Sequence, residues 1–166
     1  MNKQEEEVSK LYGNKLRTRV SGICIKDEKI LLVNHLGVND QNEFWAPPGG
    51  GVEFGYCAEE NLKREFLEET GLHISVERFL CINEFLGQPL HTIELFFLVS
   101  ITDGKLTIGM EPEFKTKLNI IQNVEFKDWD WIQRNKGDKL HNLLNITNGI
   151  HALASFEGYF LQKKNK

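Results

Sequence analysis

A chain of 166 residues is long enough to bury a sizeable core and fits one domain spanning residues 1–166. Its net charge of −4 argues against a stable complex with nucleic acid through a basic face, though not against phosphate held by metal ions. No apolar run reaches the ~18–20 residues of a membrane span, so no membrane partner is expected. The polar, acidic start MNKQEEEVSKLYGNK does not read as a secretory signal, and the cytoplasm is the expected location.

Residues 1–16 read as either a short polar helix or a loose arm. RTRVSGICI (17–25) and KILLVNH (29–35) read as strands, joined by a polar hairpin turn at Lys26, Asp27 and Glu28. LGVNDQNEF (36–44) reads as a loop, and the Pro- and Gly-rich stretch from Trp45 to Gly55 as irregular. Residues 58–70 read as a helix, with Ala58, Leu62 and Phe66 on one stripe and Leu67 beside it. Gly71 suits a left-handed C-cap, with Leu72 as the apolar contact beyond it. Residues 74–86 and 91–101 read as long strands joined through Gly87, Gln88 and Pro89, and 124–132 as a shorter one. Residues 138–161 carry helical signals at Leu140, Leu143, Leu144, Ile150 and Leu153. The order predicts an α+β fold, an α/β/α sandwich with a mixed sheet flanked by helices. Cys24 and Cys81 lie in apolar runs and read as buried; together with Cys57 they fit no zinc pattern and no disulfide framework.

The stretch REFLEE places Glu65, Glu68 and Glu69 at i, i+3 and i+4. On a helix these share a face, with Cβ atoms only ~5–6 Å apart. Three clustered carboxylates repel one another. Arg64 offsets part of this by pairing with Glu68 at i+4, and a hard divalent cation would offset more. The plainer reading is a solvated helix face. The glycine cluster ahead of the helix favours the metal reading.

GGGVEFGYCAEENLKREFLEETGL strongly resembles the Nudix box, the signature of the Nudix hydrolase superfamily. Gly50 opens the pattern, and Arg64, Glu65, Phe66, Glu68, Glu69, Gly71 and Leu72 fill its later positions in register. Trp45-Ala-Pro-Pro-Gly-Gly looks like the entry to that box. Three positions depart from the pattern. The first glutamate of the box is Tyr56, and the usual Thr or Ser then Pro at the helix start is Cys57 then Ala58. A cysteine is a weaker N-cap, although Glu60 can reach back to the backbone as in a capping box.

The resemblance implies a metal-dependent pyrophosphohydrolase that cleaves a nucleoside diphosphate linked to another group, by attack of water at phosphorus. It implies Mg2+ or Mn2+ as the cofactor, held by Glu65, Glu68 and Glu69 with the Gly49 carbonyl. Arg64 would hold a carboxylate in place. The general base would be Glu65, or else Glu111 or Glu113 in TIGMEPEFKTK, with Glu111 equally a further metal ligand. Arg19, with Arg17, stands where relatives contact phosphate or sugar, against the alternative of a solvated strand end. Trp45 and Phe44 suit stacking on a base, but packing beneath the loop suits Trp45 better. Trp129, Asp130 and Trp131 suit lining a nucleotide pocket or, the preferred reading, capping the core, and His91 a structural place. A small-molecule nucleotide diphosphate is the implied partner, and homodimers are common in the family. Tyr56 supports the alternative of a non-catalytic Nudix module that binds a nucleotide or ADP-ribose-like ligand as a sensor.

Overall fold

The computed structural model describes residues 10, 12–36, 43–109 and 120–164. Most of the N-terminal arm, and Glu111 and Glu113, lie outside the described residues. The strands are β1 (Leu16–Lys26), β2 (Lys29–His35), β3 (Phe44–Ala46), β4 (Gly49–Gly51), β5 (Leu72–Gly87), β6 (Leu90–Gly104), β7 (Ile121–Lys127) and β8 (Gly158–Lys163). The helices are α1 (Ala58–Thr70), α2 (Trp129–Asn135), α3 (Asn142–Ile146) and α4 (Ile150–Leu153).

The strands join in the order β3-β2-β1-β6-β5-β8, with β4 added to β1 and β7 to β2. The sheet is mixed: β1 runs parallel to β6 and β5 parallel to β8, while the β1–β2, β1–β4, β2–β3, β2–β7 and β5–β6 pairs are antiparallel. Asp27 and Glu28 turn the β1–β2 hairpin with positive φ, as primed hairpin turns require.

Strand periodicity divides the core. Side chains alternate between faces, so in KILLV the pair Leu31 and Val33 packs with Leu62 and Phe66 of α1. Ile30 and Leu32 pack on the other face with Leu140, Leu143, Leu144 and Leu153 from the C-terminal segment. Helices on both faces of a mixed sheet make the α/β/α sandwich that the element order predicts.

Helix α1 begins and ends where the sequence places it. Glu60 Oε2 accepts from the Cys57 N–H at 2.9 Å, the reach-back half of a capping box. Gly71, at φ 72°, closes the helix in the left-handed region, with its N–H donating to the Leu67 carbonyl. Leu62 and Phe66 are fully buried, whereas Leu67 stands exposed at the edge of the stripe.

Three expectations change. The stretch from Trp45 to Gly55 is not wholly irregular, because Phe44–Ala46 pairs with β2 and Gly49–Gly51 with Arg19–Ser21 of β1. Residues 124–132 are not one strand: Asp128 Oδ1 accepts from the Trp131 N–H at 2.8 Å and turns Trp129–Asn135 into α2. Residues 138–161 are not helical throughout. Gly158–Lys163 forms β8 beside Cys81–Leu86, where the aromatic pair Tyr159 and Phe160 suits a strand. Cys24 and Cys81 are buried, and burial pushes their thiols up to about 11 and about 12. No described helix is long and apolar enough to cross a membrane.

Candidate active site

A cleft of about 410 Å³ opens between the glycine strand and the C-terminal segment. Gly49, Gly50, Gly51 and Glu65 line one side, Arg19 and Glu94 the floor, and His141 and Asn142 the other side.

Two carboxylates of α1 turn inward. Asn61, Glu65 and Glu69 recur at i, i+4 and i+8 and are all buried, at 1%, 6% and 1% exposure. The helix therefore presents a polar buried stripe beside its apolar one, and β4 covers it. The Gly49 N–H donates to Glu69 Oε2 at 2.8 Å. A Cβ on Gly50 would stand 2.1 Å from the Glu65 carboxyl carbon. Only a residue without a side chain allows this approach. Glu65 reaches the cleft, Glu69 lies behind Gly49, and Glu68 is half-buried at the helix edge.

Arg64 does not serve a single carboxylate. Its guanidinium lies 2.9 Å from Glu65, 3.1 Å from Glu68 and 3.4 Å from Glu53. Partial burial would lower the guanidinium pKa, but the three carboxylates prevail and raise it. Asn61 binds the loop to the helix. Its Oδ1 accepts from Glu53 N–H at 2.9 Å and from Arg64 at 3.2 Å, and its Nδ2 donates to the carbonyls of Tyr56 and Cys57. The junction is thus held by a buried amide three residues before Arg64. Tyr56 itself contributes a backbone carbonyl while its ring stands exposed.

The cleft floor holds a second acidic centre. Glu94 of β6 accepts from Ser21 Oγ at 2.6 Å, and its other oxygen lies 2.9 Å from His141 Nε2. Arg19 Nε is 3.5 Å away, and Arg19 Nη2 donates to the Gly49 carbonyl at 2.9 Å. Burial would raise the Glu94 carboxyl, but His141, Arg19 and Ser21 outweigh it and bring it down to about 2. Leu143 N–H donates to His141 Nδ1, which places the ring proton on Nε2, facing Glu94.

The remaining sequence candidates separate. Arg19 and Gly50 line the cleft; Trp45 does not. Its ring is buried at 4% exposure against Trp131 and beneath Lys127, and its Nε1 donates to Glu43 at 2.9 Å. Phe44 lines the cleft in its place. Trp129 and Trp131 pack on the core, and His91 pairs with Glu84 at 2.6 Å. Arg17 stacks on Tyr12 at 3.5 Å. Asn61, Glu94 and His141 escaped the sequence reading. An Asn one turn before Glu65 was a usable signal for the first. The other two have no local signal, because their partners lie 73 and 47 residues away.

Among the described residues no group of three His, Cys, Asp or Glu side chains gathers as a metal centre. The donor set against β4 is two buried carboxylates and the Gly49 carbonyl. All are hard oxygen ligands, too few for a closed cage. Such a set suits magnesium, which binds through one or two carboxylates and fills its sphere with water and substrate phosphate.

The NUDIX domain model matches residues 15–147, and the chain belongs to that family. It is 37% identical over 100 residues to an ADP-ribose pyrophosphatase of Methanocaldococcus jannaschii, a match that covers 57% of this chain and 59% of the relative. The matched stretch spans roughly half the length of the curated relatives that head the comparison, 45% and 59%. Among solved structures, a NUDIX hydrolase from Nitrosomonas europaea superposes with a TM-score of 0.66 at 16% identity, over 89% of this chain and 79% of the other. A UDP-X diphosphatase superposes with a TM-score of 0.60 at 25% identity, over 93% and 74%.

Proposed function

We propose that this chain is a divalent-metal-dependent pyrophosphohydrolase that cleaves a diphosphate linkage in a nucleotide-type substrate by attack of water. The observation that carries the reading is the burial of Glu65 and Glu69 against a three-glycine strand. Burying two carboxylates is costly unless a counter-charge meets them. Arg64 answers part of that charge, and Mg2+ or Mn2+ would answer the rest. The ADP-ribose and UDP-X activities named for its relatives support the substrate class.

Glu65, Glu68, Glu69 and the Gly49 carbonyl would hold the metal. When bound, the metal would draw charge off the phosphate oxygens and make a water more acidic. The chain's own residues supply the remainder. Glu65, at the cleft wall, is the described carboxylate placed to take a proton from water. The Arg64 ion pair keeps it oriented. Arg19 braces the Gly49 carbonyl at the floor. Glu111 or Glu113, between β6 and β7 in the sequence, is the competing base. The substrate is expected to be a small nucleotide diphosphate handled without a membrane or nucleic-acid partner.

The test is release of phosphate or nucleotide from ADP-ribose, sugar nucleotides, nucleoside triphosphates and dinucleoside polyphosphates, with Mg2+, with Mn2+ and with chelator, beside Glu69→Gln. Metal-dependent cleavage of one class, lost in the variant, is the expected result. Ligand-induced stabilisation without cleavage by the wild type would replace this reading with a nucleotide-binding sensor.

A further inference from the structure

Glu94 sits on β6, at the floor of the cleft, at 7% exposure. A carboxylate withdrawn from water this far needs partners, and removing one of them is expensive. Its three partners come from two separate places: Ser21 and Arg19 from β1, and His141 from the N-cap of α3. The chain of contacts does not stop there. Arg19, 3.5 Å from Glu94 through Nε, uses Nη2 to grip the Gly49 carbonyl at 2.9 Å. On the other face of the same residue, the Gly49 N–H grips Glu69 Oε2 at 2.8 Å. Gly49 is therefore held from both sides, by Glu94 through Arg19 and by Glu69 directly. The peptide groups of glycine are otherwise the freest in the chain.

We infer that Glu94, acting through Arg19, is a positioning residue that fixes the Gly49 peptide groups and with them the Glu69 carboxylate. Ser21 and His141 set the orientation of the Glu94 carboxylate, and Arg19 transmits it. Through His141, its contribution to the brace, the segment after residue 138 is linked to the α1 carboxylates. Glu94 plays no part in the chemical step itself. The catalytic consequence of this inference rests on the hydrolase reading; its structural content does not.

The experiment uses the full chain as Glu94→Gln and as Arg19→Lys. The second variant keeps a cation beside Glu94 but lacks the forked guanidinium needed to hold Glu94 and Gly49 together, so it leaves no buried charge unanswered. Amide hydrogen exchange is measured by NMR without metal, followed by a Mn2+ titration. Both variants should speed exchange at Gly49, Gly50 and Gly51 by about tenfold or more while Leu31 and Leu32 hold at wild-type rates. Mn2+ affinity should fall by about 10- to 100-fold, the usual effect of losing a group that orients a ligand. Wild-type exchange at the three glycines in both variants overturns the inference. So does uniform acceleration throughout both variants, which marks a purely structural role. A wild-type chain that binds no Mn2+ would instead sink the hydrolase reading, with the exchange arm still deciding the positioning role.

Discussion

Glu65 and Glu69 along one side of the cleft and Glu94 at its floor are all buried carboxylates, yet they are built in opposite ways. The first two come from one helix. Their spacing of four residues puts them on one stripe, the glycines of β4 lie on them, Arg64 from the same helix answers the charge of Glu65, and the Gly49 N–H donates to Glu69. Glu94 has no local help. Its hydrogen-bonding partners lie 73 residues before it and 47 residues after it, and they meet only because β1 runs parallel to β6 and α3 folds back over the cleft. One centre is a property of a segment, the other of the assembled sheet. A carboxylate whose environment is local can be found by spacing alone. One whose environment is distant reads in the sequence as a single Glu in an apolar strand.

The contrast can be broken most forcefully through the docking of α1. Phe66 is fully buried against the sheet, and Phe66→Ala is expected to cost about 3–5 kcal/mol, measured by denaturant unfolding. A loss below about 1 kcal/mol would mean that the carboxylate stripe, not the apolar one, anchors the helix. Next comes Glu65→Gln, which keeps shape but removes the charge. Metal-supported turnover on the best substrate of the panel should drop by about a hundredfold or more, with circular dichroism unchanged. Turnover close to that of wild type would move the base to Glu111 or Glu113.

The other centre predicts a pH signature. The Glu94 carboxyl is lowered from 4.5 to about 2 in the folded protein, so its stabilisation is present above about pH 4.5 and is lost as pH falls toward 2. Glu94→Gln should therefore be less stable than wild type by about 1–3 kcal/mol at neutral pH, with the gap closing between pH 4.5 and 2. A gap independent of pH would show that packing, not charge, accounts for it. The smallest effect is expected at the helix start. Cys57 occupies the N-cap and is exposed, and Cys57→Ser should add about 0.5–1 kcal/mol in thermal or denaturant unfolding, with no change in Mn2+ affinity. A stabilised but metal-weakened variant would tie the cap to the site.

Much of this was legible in the residues themselves. The bounds of α1, its glycine cap, the reach-back of Glu60, the β1–β2 hairpin and the two long strands all follow from periodicity and end signals. These are short-range effects, settled within one or two turns of helix or one strand pair. The failures share a cause as well. Gly49–Gly51 carries no strand propensity and became β4 because Arg19–Ser21 lay beside it with backbone groups to satisfy. Gly158–Lys163 became β8 because the edge of β5 was open to it. Trp45 is a different case: it took the packing place that its sequence reading favoured, with Trp131 and Lys127 closing over it.

The sequence by itself determined the family signature, the helix that carries Glu65, Glu68 and Glu69, and the two-faced core, since each depends on residues that are near neighbours along the chain. Tertiary structure alone decided which of those carboxylates are buried, how Arg64 is shared, and that Glu94, Arg19, Ser21 and His141 form one network at the cleft floor. Spacing encodes which face of an element a side chain occupies, but the charge and hydrogen bonds that await it there come from whichever strands the fold brings alongside.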